Sequence, residues 1–226
     1  MKIFIILKKK SERIKNKNFV KFNKLELYKK VLYKFKNFEV FVDTDSEKII
    51  REGKKDKKLS HCFFYKRNKE FISMEKTSNK SPTPLMIKNF LSNFVTKNNE
   101  TVVTSHVTSP FLKISTLKDA LSKMKNYNSV ASCIKTQNFA YVKKKELYKP
   151  VNFNKNVIQK TQTLPYVITL VGAFFIIKKN IFLKNGLQRI SSNNYFYPLD
   201  FPENIDIDNY SDLNLALKIN KSKNFL

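Results

Sequence analysis

The tightest constraint on the fold lies in residues 3–18. Ile3-Phe4-Ile5-Ile6-Leu7 is apolar at every position. A strand of that kind has no solvent face, so it belongs in the middle of a sheet with both sides covered. The composition then switches at once to Lys8-Lys9-Lys10-Ser11-Glu12-Arg13-Ile14-Lys15-Asn16-Lys17-Asn18. A buried strand that opens into a cationic loop is where an open α/β sheet seats the phosphates of a nucleotide. A lysine-rich chain also scatters lysines into every loop, so this stretch alone leaves both readings standing.

The rest of the chain repeats the switch between strand and helix. Leu25, Tyr28, Val31, Leu32 and Phe35 recur at helical spacing and predict a helix over residues 24–35. Phe38-Glu39-Val40-Phe41-Val42 predicts a second strand, and Thr44 with Glu47 predicts a capping box for the short helix after it. His61-Cys62-Phe63-Phe64-Tyr65 predicts a third strand, while residues 73–80 read as an irregular polar connection. Ser81-Pro82-Thr83-Pro84 opens a helix whose stripe is Ile87, Phe90, Leu91, Phe94 and Val95. Thr101-Val102-Val103-Thr104 and Ser129-Val130-Ala131-Ser132-Cys133-Ile134 predict strands, with a helix between them through Ile114, Leu117, Ala120, Leu121 and Met124. Strands separated by helices make a parallel α/β sheet. Residues 139–163 break the alternation with Asn, Lys, Gln and Tyr and read as a protruding lobe or partner-binding arm. Residues 168–177 and 196–198 predict late strands around a short helix over 181–187, and Leu213, Ala216 and Leu217 begin a terminal helix.

A chain of 226 residues suits one large domain, or one with an appended lobe, and buries a substantial core without staples. Its net charge of +26 points toward anionic partners. The excess is nearly all Lys, however, with Arg only at 13, 51, 67 and 189, and Lys, Asn, Ile, Phe and Tyr are abundant together. Those residues share A/T-rich codons, so coding bias accounts for much of the charge with no partner. Cys62 and Cys133 lie far apart and His61 and His106 lack ligand spacing, which suits a reduced cytoplasmic protein. The longest apolar stretch, residues 164–177, is too short to span a bilayer.

The sharpest local feature is Ile205-Asp206-Ile207-Asp208. In a strand the two carboxylates point one way and the two isoleucines the other. A converging pair of carboxylates with little other protein ligation suits Mg²⁺, which keeps waters and bridges to phosphate oxygens. The same residues also suit an exposed strand end, with Asp208 or Ser211 capping the terminal helix. There is no G-x-x-x-x-G-K-[ST] and no G-x-G-x-x-G, which argues against a P-loop NTPase and a dinucleotide enzyme.

Several motifs, in order, resemble one family: the cytidylyltransferases that activate nine- or eight-carbon ulosonic acids, with acylneuraminate cytidylyltransferase the closest type. Residues 7–18 resemble the family's A-R-x-G-S-K-R-I-P-x-K-N, with Lys8 for its arginine, Lys10 for its glycine and Glu12 for its lysine. Val42-Asp43-Thr44-Asp45-Ser46 resembles V-S-T-D-D, and Arg67 resembles an R-P arginine near the cytosine, with Asn68 for the proline. His106-Val107-Thr108-Ser109-Pro110 resembles Q-P-T-S-P, and Lys160-Thr161-Gln162 resembles R-x-Q. Gly172-Ala173-Phe174-Phe175 resembles N-G-A-x-Y, with Val171 for the asparagine, and residues 205–216 resemble I-D-I-D-x-x-x-D-L-x-x-A.

The resemblance implies a three-layer, Rossmann-like nucleotide-sugar transferase fold: one α/β domain over residues 1–226, with a mixed, mostly parallel sheet and residues 139–163 as a small dimerisation lobe. It implies transfer of CMP from CTP to the anomeric hydroxyl of a sialic-acid-like acid, with release of pyrophosphate. Lys8, Ser11, Arg13, Lys17 and Asn18 would hold the triphosphate, and Arg67 and Ser81 would frame the cytosine. His106, Lys160 and Gln162 would face the sugar, Lys160 meeting its carboxylate, and Asp206 and Asp208 would hold Mg²⁺. Lys17 and the two aspartates carry the catalytic expectation. The partners implied are CTP, an acidic nine- or eight-carbon sugar and a second copy of the chain, in which the lobe of one subunit reaches the other's sugar site. Neither a membrane nor nucleic acid is expected. Two alternatives stay open: another acceptor on the same fold, such as Kdo, and a non-catalytic basic binding protein, favoured by the lost glycine and the +26 charge.

Overall fold

The computed structural model describes residues 1–222; residues 223–226 of the expected domain lie outside the described residues. In chain order the elements are β1 Lys2–Leu7, β2 Lys21–Phe22, β3 Leu25–Glu26, α1 Leu27–Lys34, β4 Glu39–Thr44, α2 Glu47–Lys55, β5 Cys62–Lys66 and α3 Lys69–Thr77. There follow α4 Thr83–Phe94, β6 Thr101–Ser105, α5 Ile114–Ser122, β7 Ser129–Thr136, β8 Tyr141–Lys144, β9 Leu147–Pro150, β10 Val167–Lys178, α6 Lys179–Lys184, β11 Asn194–Pro198 and α7 Tyr210–Lys221. Seven strands form the main sheet in the order β11-β7-β10-β6-β1-β4-β5. Strand β10 runs antiparallel to β6 and β7, and every other pairing is parallel. This is the mixed, mostly parallel α/β sheet that the family resemblance implies.

The unbroken apolar run in β1 explains the layering. Ile3, Ile5 and Leu7 enter one core, with Val31 and Leu32 of α1, Leu117 of α5 and Ala216 of α7. Phe4 enters the other, with Ile87, Phe90 and Leu91 of α4 and Phe182 of α6. The Phe4 and Phe90 rings stack at 4.8 Å, and truncating either to Ala would cost about 3–5 kcal/mol. Alternate residues of one strand thus tie both helical layers to the sheet. Among the described residues no helix is long and apolar enough to cross a membrane, and Cys62 and Cys133 are free thiols.

Four local readings need correction. The cap of α2 is Ser46, whose hydroxyl accepts from the Ile49 amide, while Thr44 Oγ1 accepts from the Ser46 amide two residues later. Most of residues 73–80 is helical: α3 begins after Asn68, whose side chain accepts from the Glu70 amide, and it buries Phe71. Residues 205–208 form no strand, although Ile205 and Ile207 are buried while Asp206 and Asp208 stay partly exposed. The cap of α7 is Asn209, in a reciprocal box with Asp212, rather than Asp208 or Ser211.

Residues 139–163 carry the two-stranded β8–β9 sheet, separate from the main one. Its base is held by Asn152, which accepts from the Ala140 amide and donates to the carbonyls of Asn138 and Pro165. Beyond that neck Tyr141, Leu147, Tyr148 and Ile158 are exposed.

Candidate active site

A cleft of about 510 Å³ opens at the C-terminal ends of β1 and β6. One bank is the cationic loop after β1. The Asn18 side-chain amide donates to the Lys8 carbonyl at 2.8 Å, closing the loop on itself, and Ile14 is buried beneath it. The Lys9 amide donates to Asp45 Oδ1 at 2.5 Å, which fastens the loop to the end of β4. Asn16 adopts φ 55°, a left-handed conformation that Asn tolerates and that a glycine-free loop needs somewhere. Lys8, Ser11, Arg13, Lys17 and Asn18 all line the cleft.

The opposite bank is built from β6, β10 and the Asp206 segment. The Ile207 amide donates to the Thr108 carbonyl at 2.8 Å and holds that segment against the loop containing His106. The β10–β7 register shifts between Leu170 and Phe175, and Ser132 stitches the irregularity: its hydroxyl accepts from the Phe174 amide and donates its one proton to the carbonyl of Val171 or of Phe174. That irregularity frees the Gly172 amide to donate to Asp206 Oδ2 at 3.2 Å. A Cβ at Gly172 would stand 2.6 Å from Asp206 Oδ2 and 3.1 Å from His106 Nδ1. The glycine is therefore required for close approach, and not for a special backbone angle.

The charges of the two banks interlock. Arg13 Nη2 lies 3.0 Å and Lys17 Nζ 3.7 Å from Asp208 Oδ1, and Lys17 Nζ donates to the Ile207 carbonyl at 2.5 Å. Burial pushes the Lys17 ammonium below the usual lysine range, with Asp208 and then Asp206 pulling it back. Burial, and then the nearby Arg189 guanidinium, push His106 below the usual histidine range, so its imidazole is neutral at pH 7.

Four expected residues stand elsewhere. The Arg67 side chain is fully buried, its Nε on Asp43, its Nη1 on both oxygens of Glu75 and its Nη2 on the carbonyls of Leu7 and Asp43. All five donors are taken, so none is left to meet a base; the residue buttresses the strand end from which the cationic loop departs. Ser81 is exposed and hydrogen-bonds Thr83, and it is Thr83 that lines the cleft. Lys160 and Gln162 are exposed and do not line the cleft. Sequence reasoning missed Arg189, which lines the cleft beside Phe175 of the Gly172–Phe175 motif. The one available signal was rarity, since a chain this rich in Lys carries Arg at only four positions.

Among the described residues no group of three or more His, Cys, Asp or Glu side chains has the arrangement of a metal cage. The donor set fits a hard cation shared with a phosphate all the same. Asp206 Oδ1 is buried with no hydrogen-bond partner, and Asp208 faces the same cleft. Two carboxylates with the rest of the shell left to water and phosphate is the usual arrangement for Mg²⁺.

A family model described as Cytidylyltransferase matches residues 3–167, which span the cationic loop and both central strands. The chain belongs to the cytidylyltransferase family. Solved structures agree in fold. A 4-diphosphocytidyl-2C-methyl-D-erythritol synthase aligns with TM-score 0.64 at 10% identity, covering 96% of this chain and 97% of that chain. A CMP:2-keto-3-deoxy-manno-octonic acid synthetase complexed with CTP aligns with TM-score 0.63 at 11% identity over 96% of each chain. The 2-C-methyl-D-erythritol 4-phosphate cytidylyltransferase of Francisella tularensis aligns with TM-score 0.61 at 14% identity, covering 95% of this chain and 97% of that chain. No curated protein matches the chain in sequence. In this cytidylyltransferase the cleft sits at the C-terminal edge of the central parallel strands, the usual ligand position in such sheets.

Proposed function

We propose that this cytidylyltransferase joins CMP from CTP to the anomeric hydroxyl of a sialic-acid-like ulosonic acid and releases pyrophosphate. One observation carries the reading: the cationic loop and the Asp206–Asp208 pair meet across a single cleft, with a buried Asp206 oxygen awaiting a ligand. The attacking hydroxyl gives up its proton to solvent water as its oxygen bonds to the α-phosphorus; the bond from that phosphorus to the β-phosphate oxygen breaks, and pyrophosphate leaves with the electron pair. Lys8, Arg13 and Lys17 neutralise the charge growing on the leaving group, and Ser11 and the loop amides orient the triphosphate. Asp206 and Asp208 would hold Mg²⁺, which when bound polarises the α-phosphate. The neutral His106 meets the acceptor's hydroxyls. Binding both substrates in one cleft supplies proximity, a large part of the barrier in such transfers.

The nine-carbon acid is favoured by the whole ordered set of motifs, which together resemble the acylneuraminate type most. In the same reading residues 139–163 form a dimerisation lobe of a cytoplasmic homodimer, its exposed Leu147, Tyr148 and Ile158 covered by a second copy. Lys160 and Gln162, absent from their own cleft, would then serve the neighbouring one. The test is pyrophosphate release from CTP and Mg²⁺ with N-acetylneuraminic acid, Kdo and related acids. Release requiring both CTP and one acid is the expected result. Folded protein that binds neither CTP nor any acid, yet shows steeply salt-dependent binding to RNA or DNA, would replace this reading with that of a basic binding protein.

A further inference from the structure

We propose that Arg189 recognises the carboxylate of the acceptor acid. The inference rests on the reaction proposed above and adds a residue that no motif singles out.

Arg189 lies in the connection from α6 to β11 and lines the cleft. Its guanidinium carbon is 3.7 Å from the centroid of the Phe175 ring, so the aromatic face supports the cation and fixes its plane. Nη1 is buried and has no hydrogen-bond partner, and no ion pair reaches the side chain among the described residues. A buried guanidinium nitrogen without an acceptor is costly unless something completes it. Arg67 shows what completion looks like in this same chain: five donors meet five acceptor contacts. Arg189 keeps its positive charge at neutral pH, since burial pushes its pKa down only to about 10.

Position selects the ligand. Phe175 pairs with Thr104 of β6, and β1 pairs with β6 on its other side. The cleft therefore runs from the cationic loop after β1, past His106 at the end of β6, to Phe175 and Arg189. The triphosphate has Lys8, Arg13 and Lys17 at the first end, which leaves Arg189 at the end where the acceptor enters. A planar fork of donors matches a carboxylate in two parallel hydrogen bonds. A phosphate monoester presents similar oxygens, so the experiment separates the two.

The chain has four arginines, so protein labelled with ¹⁵N-arginine gives four Nε–H signals, and Arg189→Lys identifies the one in question. With a non-hydrolysable CTP analogue bound, the signal is expected to shift on adding the acid that is turned over. It should not shift with that acid's carboxamide, with a neutral sugar or with the analogue alone. Arg189→Lys should raise KM for the acid roughly 10- to 100-fold and leave KM for CTP within about 2-fold. The carboxamide, already poor with the native protein, should lose nothing further. A shift with the CTP analogue alone, or with a sugar phosphate but not the acid, overturns the assignment. So does turnover of an acid with no shift, which leaves the reaction standing. A shift with the acid but no turnover keeps the carboxylate site and removes the reaction. Neither shift nor turnover removes both.

Discussion

The two banks of the cleft are built on opposite principles. The bank after β1 is a loop, closed by one side-chain amide on the Lys8 carbonyl and moored to Asp45. The bank on β10 is sheet, with an irregular strand stitched by Ser132 and an aspartate seated on the Gly172 amide. The first carries most of the charge and tolerates exchange of side chains, as the glycine-free run from Lys8 to Asn18 illustrates. The second tolerates very little, because a single added carbon at Gly172 collides with Asp206. Phosphate charge can be matched by many arrangements of lysine, whereas a metal-binding carboxylate has to be placed within a fraction of an ångström.

The largest break in that comparison is Asp206→Asn with Asp208→Asn. Pyrophosphate release should fall at least about 1,000-fold, with the thermal midpoint nearly unchanged. Retained release would remove the pair from the chemistry. Next is Arg67→Met, which undermines the loop bank from below by leaving Asp43 buried without its partner. It should destabilise the fold by about 3–5 kcal/mol in urea titration, and full stability would mean the network relaxes onto water. Gly172→Ala should lower turnover about 100-fold by displacing Asp206, with little change in CTP affinity. A wild-type rate would show that the close approach is not needed. Lys17→Met should weaken CTP binding roughly 10-fold by calorimetry, a smaller effect because Lys8 and Arg13 remain. Least of all, Ser81→Ala should change turnover by less than about 2-fold, since Ser81 is exposed and bonded only to Thr83. A loss comparable to that at Gly172 would return Ser81 to the site.

The sequence made the sheet legible because each strand announces itself by an apolar run, and β1 even shows that both its faces are covered. Helix α3 was hidden because it buries only Phe71, so its apolar stripe is too thin to read. The Asp206 segment kept the alternation of a strand without the ladder, because its partner is one carbonyl, that of Thr108. The cationic loop and the aspartates were visible as local motifs. Arg67 and Arg189 were not separable from sequence, since satisfied and unsatisfied guanidinium groups look alike until their neighbours are known. Arginine was nevertheless the informative cation. Three of the four positions, Arg13, Arg67 and Arg189, make defined contacts that a point-charge lysine would reproduce poorly.

The antiparallel course of β10 has a consequence for how such a cleft can diversify. Because β10 returns directly from β7, the chain joining them, including residues 139–163, emerges at the same edge as the cleft. A parallel course would have sent that connection to the far edge. The insert is thus an enlarged hairpin turn, pinned at its neck by Asn152. Lengthening a closed loop is cheap, about 0.6 kcal/mol for each doubling. One reversed strand therefore gives the protein a place where whole segments can be added or exchanged beside the cleft without re-registering the sheet.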